Sequence, residues 1–146
     1  PQLENAVKEA LRLHPPLIWL PRTALVDFAY KDWLVPKGSI VAISIALSNR
    51  DPKCFAEPDR FDPDRFAPPR EEDAAHPFAY VPFGGGRHRC LGANFAMMQQ
   101  KAVFSVLLRR FDFELAARPS DYVDNYSAMV VRPRQPFRVR YQRRHH

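Results

Sequence analysis

Apolar residues recur at helical intervals in two stretches of this chain. Leu3, Val7, Ala10 and Leu11 mark one face of a helix that begins almost at the first residue. His14-Pro15-Pro16 ends it, because proline forces the residue before it out of helical geometry. The second stretch runs from Ala93 to Arg110, where Phe95, Met98, Ala102, Val106 and Leu107 keep the same spacing. Phe104 and Leu108 add apolar surface on other faces, so this helix is predicted to be largely buried. Elsewhere short β-like runs replace the helical period. Thr23 to Phe28, Trp33 to Val35 and Ser39 to Ile45 read as strands, separated by turn signals at Tyr30-Lys31-Asp32 and Pro36-Lys37-Gly38. Phe111 to Leu115, Tyr126 to Val131 and Phe137 to Tyr141 read as further strands. The stretch from Asp59 to Phe66 is irregular and proline-rich, and Pro68 to Ala75 reads as a polar, exposed loop. The pattern predicts a mainly α chain with small β-sheets, an α+β architecture without internal repeats.

One stretch fits neither period. Phe83 to Gly92 reads Phe-Gly-Gly-Gly-Arg-His-Arg-Cys-Leu-Gly and lies directly ahead of the second helix. Counted from Cys90, Phe83 stands at −7, Gly86 at −4, His88 at −2 and Gly92 at +2. A cysteine there meets unpaired N–H groups and the positive end of the helix dipole, surroundings that favour a thiolate. Glycines let the backbone approach a bulky flat ligand closely. Nearby N–H groups can donate to the sulfur and temper its donation to a metal. A lone cysteine more often packs as a small, inert hydrophobe; the spacing around this one points to a ligand instead.

The loop resembles the haem-binding signature of the cytochrome P-450 family, Phe-x-x-Gly-x-Arg-x-Cys-x-Gly, in which the cysteine is the axial iron ligand. Phe83, Gly86, Cys90 and Gly92 match it, and His88 stands where the family usually has arginine. The resemblance implies that Cys90 is the metal ligand of haem b, with Phe83, Gly84, Gly86, His88 and Gly92 around the cofactor. Arg22 sits where the family often places a propionate-binding arginine; otherwise it is a surface residue. Glu9 and Arg12 are three apart and share a helix face. Alone they would form a solvated pair worth about 0.2–0.5 kcal/mol. They resemble the family's Glu-x-x-Arg motif, which is buried, structural and not catalytic. Phe61, Pro63, Arg65 and Phe66 match its Phe-x-Pro-x-Arg-Phe meander, and Arg65 would complete a charge triad. Leu17, Ile18, Trp19 and Leu20 match a substrate-contacting strand, and Ser127, Ala128, Met129 and Val130 a second substrate-contacting turn. Sheet core and hairpin packing are the alternatives for these two segments. The Gly-Arg-His-Arg-Cys run, Leu13 to Ile18, and Met129-Val130-Val131 look like the sterol 14α-demethylase branch.

Composition narrows the partners. At 146 residues one domain is expected, and 46% hydrophobic with 12% aromatic residues can build a core. No apolar run is long enough to span a membrane, and there is no signal peptide. The chain starts at Pro1 and enters a helix at once, so residues 1–146 read as the C-terminal portion of a single longer domain. An anchor could lie in the part ahead of it. With only Cys54 and Cys90, a disulfide would consume the proposed ligand, which favours a reducing compartment and a soluble, cytoplasmic protein. His14, His76 and His88 are too widely spaced to form a zinc site. A net charge of +6 suggests an acidic partner, but the arginines are scattered and no nucleic-acid motif is present. Arg87, Arg89, Lys101, Arg109 and Arg110 are candidates for a positive surface facing an electron donor, with most weight on Lys101, Arg109 and Arg110. Arg143-Arg144-His145-His146 reads as a frayed tail or an expression remnant.

The resemblance implies a haem-thiolate monooxygenase using O2, a ferredoxin, flavodoxin-type or reductase donor, and an apolar, sterol-like or fatty acyl substrate. The family's oxygen-activating acid/alcohol pair lies on a helix upstream of Glu-x-x-Arg, so this chain alone is expected not to turn over substrate. The alternatives are a fatty-acid or other small-molecule hydroxylase or peroxygenase of the same family, and a non-catalytic haem-binding or regulatory fragment.

Overall fold

A computed structural model of the chain describes residues 1–144. The core starts at helix α1 (Gln2–Leu13). Val7, Leu11 and Leu13 are buried on it, together with Glu9 and Arg12. Its last turn closes with the His14 N–H donating to the Ala10 carbonyl at 2.8 Å, and Pro15 and Pro16 carry the chain away.

Strand β1 (Trp19–Thr23) follows and pairs antiparallel with β4 (Ile40–Ser44), Leu20 opposite Ile43 and Arg22 opposite Val41. Between them, β2 (Phe28–Tyr30) and β3 (Trp33–Val35) form a separate hairpin. The strand expected over Thr23 to Phe28 therefore lies earlier. Pro21 looked like a break, but β1 has a single neighbour, and an edge strand tolerates a residue without an N–H. The Ala24 N–H and carbonyl turn instead to Ser39 and Gly38. Helix α2 (Ile45–Ser48) is one turn, capped by the Ser44 hydroxyl, which accepts the Leu47 N–H at 3.2 Å.

The proline-rich stretch is irregular as expected, with one 3₁₀ turn over Pro63–Phe66. Pro68 to Ala75 departs from expectation. It contains a 3₁₀ turn, Glu72–Ala74, and the Glu72 side chain is largely covered. Helix α3 (Ala93–Arg110) follows the cysteine loop. It is not the buried helix predicted: only Ala93 is buried, and Phe95, Met98, Val103, Phe104, Val106 and Leu108 are exposed. A helix apolar on every face needs neighbours on several sides, and here α1 and β5 are its main contacts.

Strand β5 (Phe111–Leu115) pairs with β8 (Val139–Arg143), and β6 (Asp124–Asn125) with β7 (Arg132–Pro133). The predicted strand over Tyr126 to Val131 is absent; those residues form the bend between β6 and β7. Val131 sends its N–H to the Pro16 carbonyl at 2.8 Å. The strand expected at Phe137 to Tyr141 is shifted towards the C-terminus. Arg143 and Arg144 are not a tail: Arg143 pairs with Phe111, and the Arg144 guanidinium binds Asp112. His145 and His146 lie outside the described residues. Among the described residues, no helix is long and apolar enough to cross a membrane.

The buried apolar residues, among them Ile45, Phe55, Phe66, Ala79 and Val81, gather around α1 and the irregular segment. Phe55 is fully buried, with the Arg12 guanidinium 5.1 Å and the Arg65 guanidinium 5.9 Å from its ring centroid. Phe55→Ala should destabilise the fold by about 3–5 kcal/mol, seen as a lower denaturation midpoint; a midpoint matching that of the unmutated chain would contradict this placement.

Candidate functional site

The site rests on a buried charge network. Glu9, Arg12 and Arg65 have no exposed surface. Arg12 binds Glu9 through Nε at 2.7 Å and Nη2 at 2.9 Å, the bidentate geometry that only arginine supplies. Its remaining N–H groups donate to the carbonyls of Asn49, Pro58 and Arg60. Arg65 Nε reaches Glu9 at 3.0 Å, and its other groups donate to Ala56, Glu57, Arg60 and the Glu72 carboxylate. Glu9 also accepts the Asp62 N–H at 2.8 Å. No buried side-chain nitrogen or oxygen among the described residues lacks a partner.

Burial pushes the Glu9 carboxyl upward, but hydrogen bonds from Arg12, the Asp62 amide and Arg65 outweigh it and hold Glu9 below its ordinary value of 4.5. Glu72 behaves alike: burial raises it, and Arg70 and Arg65 overcome that. Sequence reasoning missed Glu72, which reads as one acid among several in a polar loop. Two buried guanidiniums against one carboxylate leave a surplus positive charge, and Glu72 balances it.

The network meets the cysteine loop through Asn49, also missed. Its backbone carbonyl accepts from Arg12 at 2.9 Å, and its side-chain oxygen accepts the Val81 N–H at 3.2 Å. Val81 opens the loop: its carbonyl accepts the Gly84 N–H at 3.0 Å. Gly84 has φ +72°, which a side chain strongly disfavours. A Cβ on Gly85 would stand 2.9 Å from the Phe78 ring, so that position has no room for one. Gly86 to His88 make a 3₁₀ turn. The Cys90 N–H donates to the Phe83 carbonyl at 2.9 Å, and the Cys90 carbonyl accepts the Ala93 N–H at 3.3 Å, where α3 begins. Cys90 is a free, exposed thiol, and a Cβ on Gly92 would lie only 3.8 Å from its Sγ.

Arg22 and His88 come together. With Leu20, Ile43, Gly84 and Gly85 they line a hollow of about 260 Å³ between β1 and the glycine loop. A larger hollow, about 430 Å³, lies near His14, Tyr122 and Phe137 and contains none of the predicted site residues. The Val131–Pro16 hydrogen bond ties the turn carrying Met129 and Val130 to the residue just before Leu17 and Ile18. Trp19, Met129 and Val130 are exposed, and Leu17, Ile18 and Leu20 half-buried. Of the proposed donor-facing residues, Lys101 is paired with Glu4 at 2.8 Å, while Arg109 and Arg110 are exposed at the end of α3.

The residues present fit a flat macrocycle held by a cysteine: a bare glycine turn, an exposed thiol ahead of a helix, and an arginine and a histidine at one hollow. The chain belongs to the cytochrome P-450 family, whose profile matches residues 1–141, and the family implies a haem cofactor. Among individual relatives it is 53% identical over 144 residues to a sterol 14α-demethylase of Mycolicibacterium vanbaalenii, covering 99% of this chain and 32% of that protein. It is 51% identical to a sterol 14-demethylase of Arabidopsis thaliana, covering 97% of this chain and 30% of the relative. Its fold superposes with TM-score 0.89 on the retinoic acid-bound cyanobacterial CYP120A1, at 33% identity, covering 98% of this chain and 32% of that one. The chain spans about a third of the length of the relatives it matches.

Removing one partner of a buried pair costs about 3–5 kcal/mol, so Glu9→Ala should lower both stability and haem incorporation; a stable, fully haem-loaded variant would contradict the network's role. Because the Glu9 carboxyl is held low in the folded state, its contribution is complete above about 4.5 and is lost as pH falls through the lower folded value. Acid denaturation followed in parallel should show the variant losing this part of the pH dependence.

Proposed function

We propose that the protein carrying this chain is a haem-thiolate monooxygenase acting on a sterol-like apolar substrate, with Cys90 as the axial thiolate. One observation carries this: an exposed, free Cys90 on a glycine turn, in a chain about half identical to sterol 14-demethylases from a bacterium and a plant. Haem, when bound, supplies the oxidising chemistry, inserting one atom of O2 with electrons from a ferredoxin-, flavodoxin- or reductase-type donor. Cys90 anchors it and donates electron density through sulfur. Phe83 and the glycines Gly84, Gly86 and Gly92 leave its face uncovered by side chains. Arg22 and His88, which share one hollow, are placed to meet carboxylate groups through charge-assisted hydrogen bonds. Glu9, Arg12 and Arg65 hold the loop from below and touch no reacting atom. Leu17, Ile18, Trp19, Leu20, Met129 and Val130 offer an apolar wall that gains from burying a hydrocarbon surface. Arg109 and Arg110 offer positive charge to an acidic donor, and such steering weakens with salt. The free thiols Cys54 and Cys90 suit a reducing compartment.

In the full-length protein, the reduced, CO-bound form should show the red-shifted Soret band of thiolate ligation, and Cys90→Ser should lose it. A band that survives the substitution overturns the ligand assignment. Substrate class is read by spectral titration with lanosterol-type sterols and with fatty acids. The bulky Trp19, half exposed at the start of β1, makes the slimmer acyl chain the second candidate. Sterols should shift the iron to high spin. Should only fatty acids do so, the sterol assignment falls and the monooxygenase reading stands.

A further inference from the structure

Asn49 has no part in the chemistry above, yet it is completely buried and every polar group it has is used. Its backbone N–H donates to Ile45 at 2.9 Å and its carbonyl accepts from Arg12 Nη1 at 2.9 Å. Its Oδ1 accepts the Val81 N–H at 3.2 Å, and its Nδ2 faces the Arg12 carbonyl at 3.4 Å. The orientation of the amide is fixed by these neighbours, because a flipped group would set oxygen against carbonyl and NH₂ against N–H.

We propose that Asn49 is a positioning residue for the Cys90 thiolate: it transmits the fixed geometry of the Glu9–Arg12 pair to the cysteine loop through Val81. The inference rests on the haem-thiolate reading. The path is continuous on the backbone. Arg12 holds Asn49, Asn49 holds the Val81 N–H, and the Val81 carbonyl receives the Gly84 N–H. Gly84 starts the turn that places the Phe83 carbonyl, which in turn receives the Cys90 N–H. Cys90 itself is exposed and its Sγ has no hydrogen-bonding partner of its own to orient it; the backbone on either side must do so. Outer partners of a metal ligand act this way, and losing one typically costs about 10–100-fold in affinity or activity.

Asparagine combines an acceptor for Val81 and a donor for Arg12 in one plane. Asn49→Leu keeps much of the volume but leaves the Val81 N–H buried without a partner. Asn49→Asp keeps the acceptor for Val81 and gives up the donor to Arg12. The test uses the full-length, haem-loaded protein and two readouts on the loaded fraction: the Soret position of the reduced CO complex and the reduction potential. The unmutated protein gives the thiolate band; if it does not, the haem-thiolate reading fails and not this inference alone. Asn49→Leu should move absorbance from the thiolate position to that of a displaced or protonated thiol and shift the potential, whereas Asn49→Asp should restore the band. A residue with only a structural role would change haem content or the denaturation midpoint and leave both readouts of the loaded fraction unmoved. An Asn49→Leu protein with the unmutated band and potential overturns the proposal. Where that variant does not load, Asn49→Asp decides: a thiolate band supports the role of the Val81 contact, and its loss refutes it.

Discussion

The irregular segment before the cysteine loop has no sheet or long helix to receive its backbone carbonyls, and that deficit organises the rest. Ala56, Pro58 and Arg60 lie where main-chain oxygens must find donors inside the protein. Two guanidiniums supply them. Arg12 serves Pro58 and Arg60, and Arg65 serves Ala56 and Arg60. Side chains here do the work that a ladder does elsewhere. Lysine could not: it has three donors on one atom, whereas arginine spreads five across a rigid plane. Burying two cations is tolerable only with anions inside the same shell. Glu9 binds both, and Glu72 contributes the second negative charge at the rim, tied to Arg65 and Arg70.

From this anchored base the loop above inherits its shape. Arg12 fixes Asn49, Asn49 fixes Val81, and Val81 begins the turn that ends at Cys90. Each step is a backbone contact or a contact to backbone, so the loop is held without covering its outer surface. The result is an asymmetric arrangement: fully satisfied polar groups below, and a bare glycine turn with an exposed thiol above. A ligand site needs both halves, since precise placement of a metal ligand comes from its supporting partners and access comes from the absence of side chains.

What could be read from the sequence follows the same division. The two long helices were legible from period and from Pro15 and Pro16. The cysteine loop was legible because its glycines stand at fixed offsets from Cys90. Glu9, Arg12 and Arg65 were legible only through resemblance, since a carboxylate and an arginine three apart look like any exposed pair, and the structure shows them buried. Asn49 and Glu72 were not legible. Asn49 precedes Arg50-Asp51-Pro52 and looks like a turn residue, and no spacing rule links it to Val81. Strand positions failed where backbone partners came from far along the chain. Val131 sits in an apolar run that suggests a strand, but its N–H goes to Pro16. Pro21 suggests a break, but it occupies an edge.

The helix behind the loop makes the last distinction. Its apolar residues point in every direction, and most of them are exposed, although all buried polar side-chain atoms among the described residues are satisfied. Hydrogen bonds are directional and must be completed locally, so a polar scaffold of this kind can be finished by neighbours within a short span of chain. Apolar burial is non-directional and scales with the area removed from water, so it depends on how much protein surrounds the site. Phe95, Met98, Phe104 and Leu108 present that unmet area on a chain spanning about a third of its relatives. The geometry that would place a thiolate is therefore encoded within this chain. The enclosure that would exclude water from a reaction on that thiolate's ligand is not, which is why the proposed activity is assigned to the longer protein and the positioning to these residues.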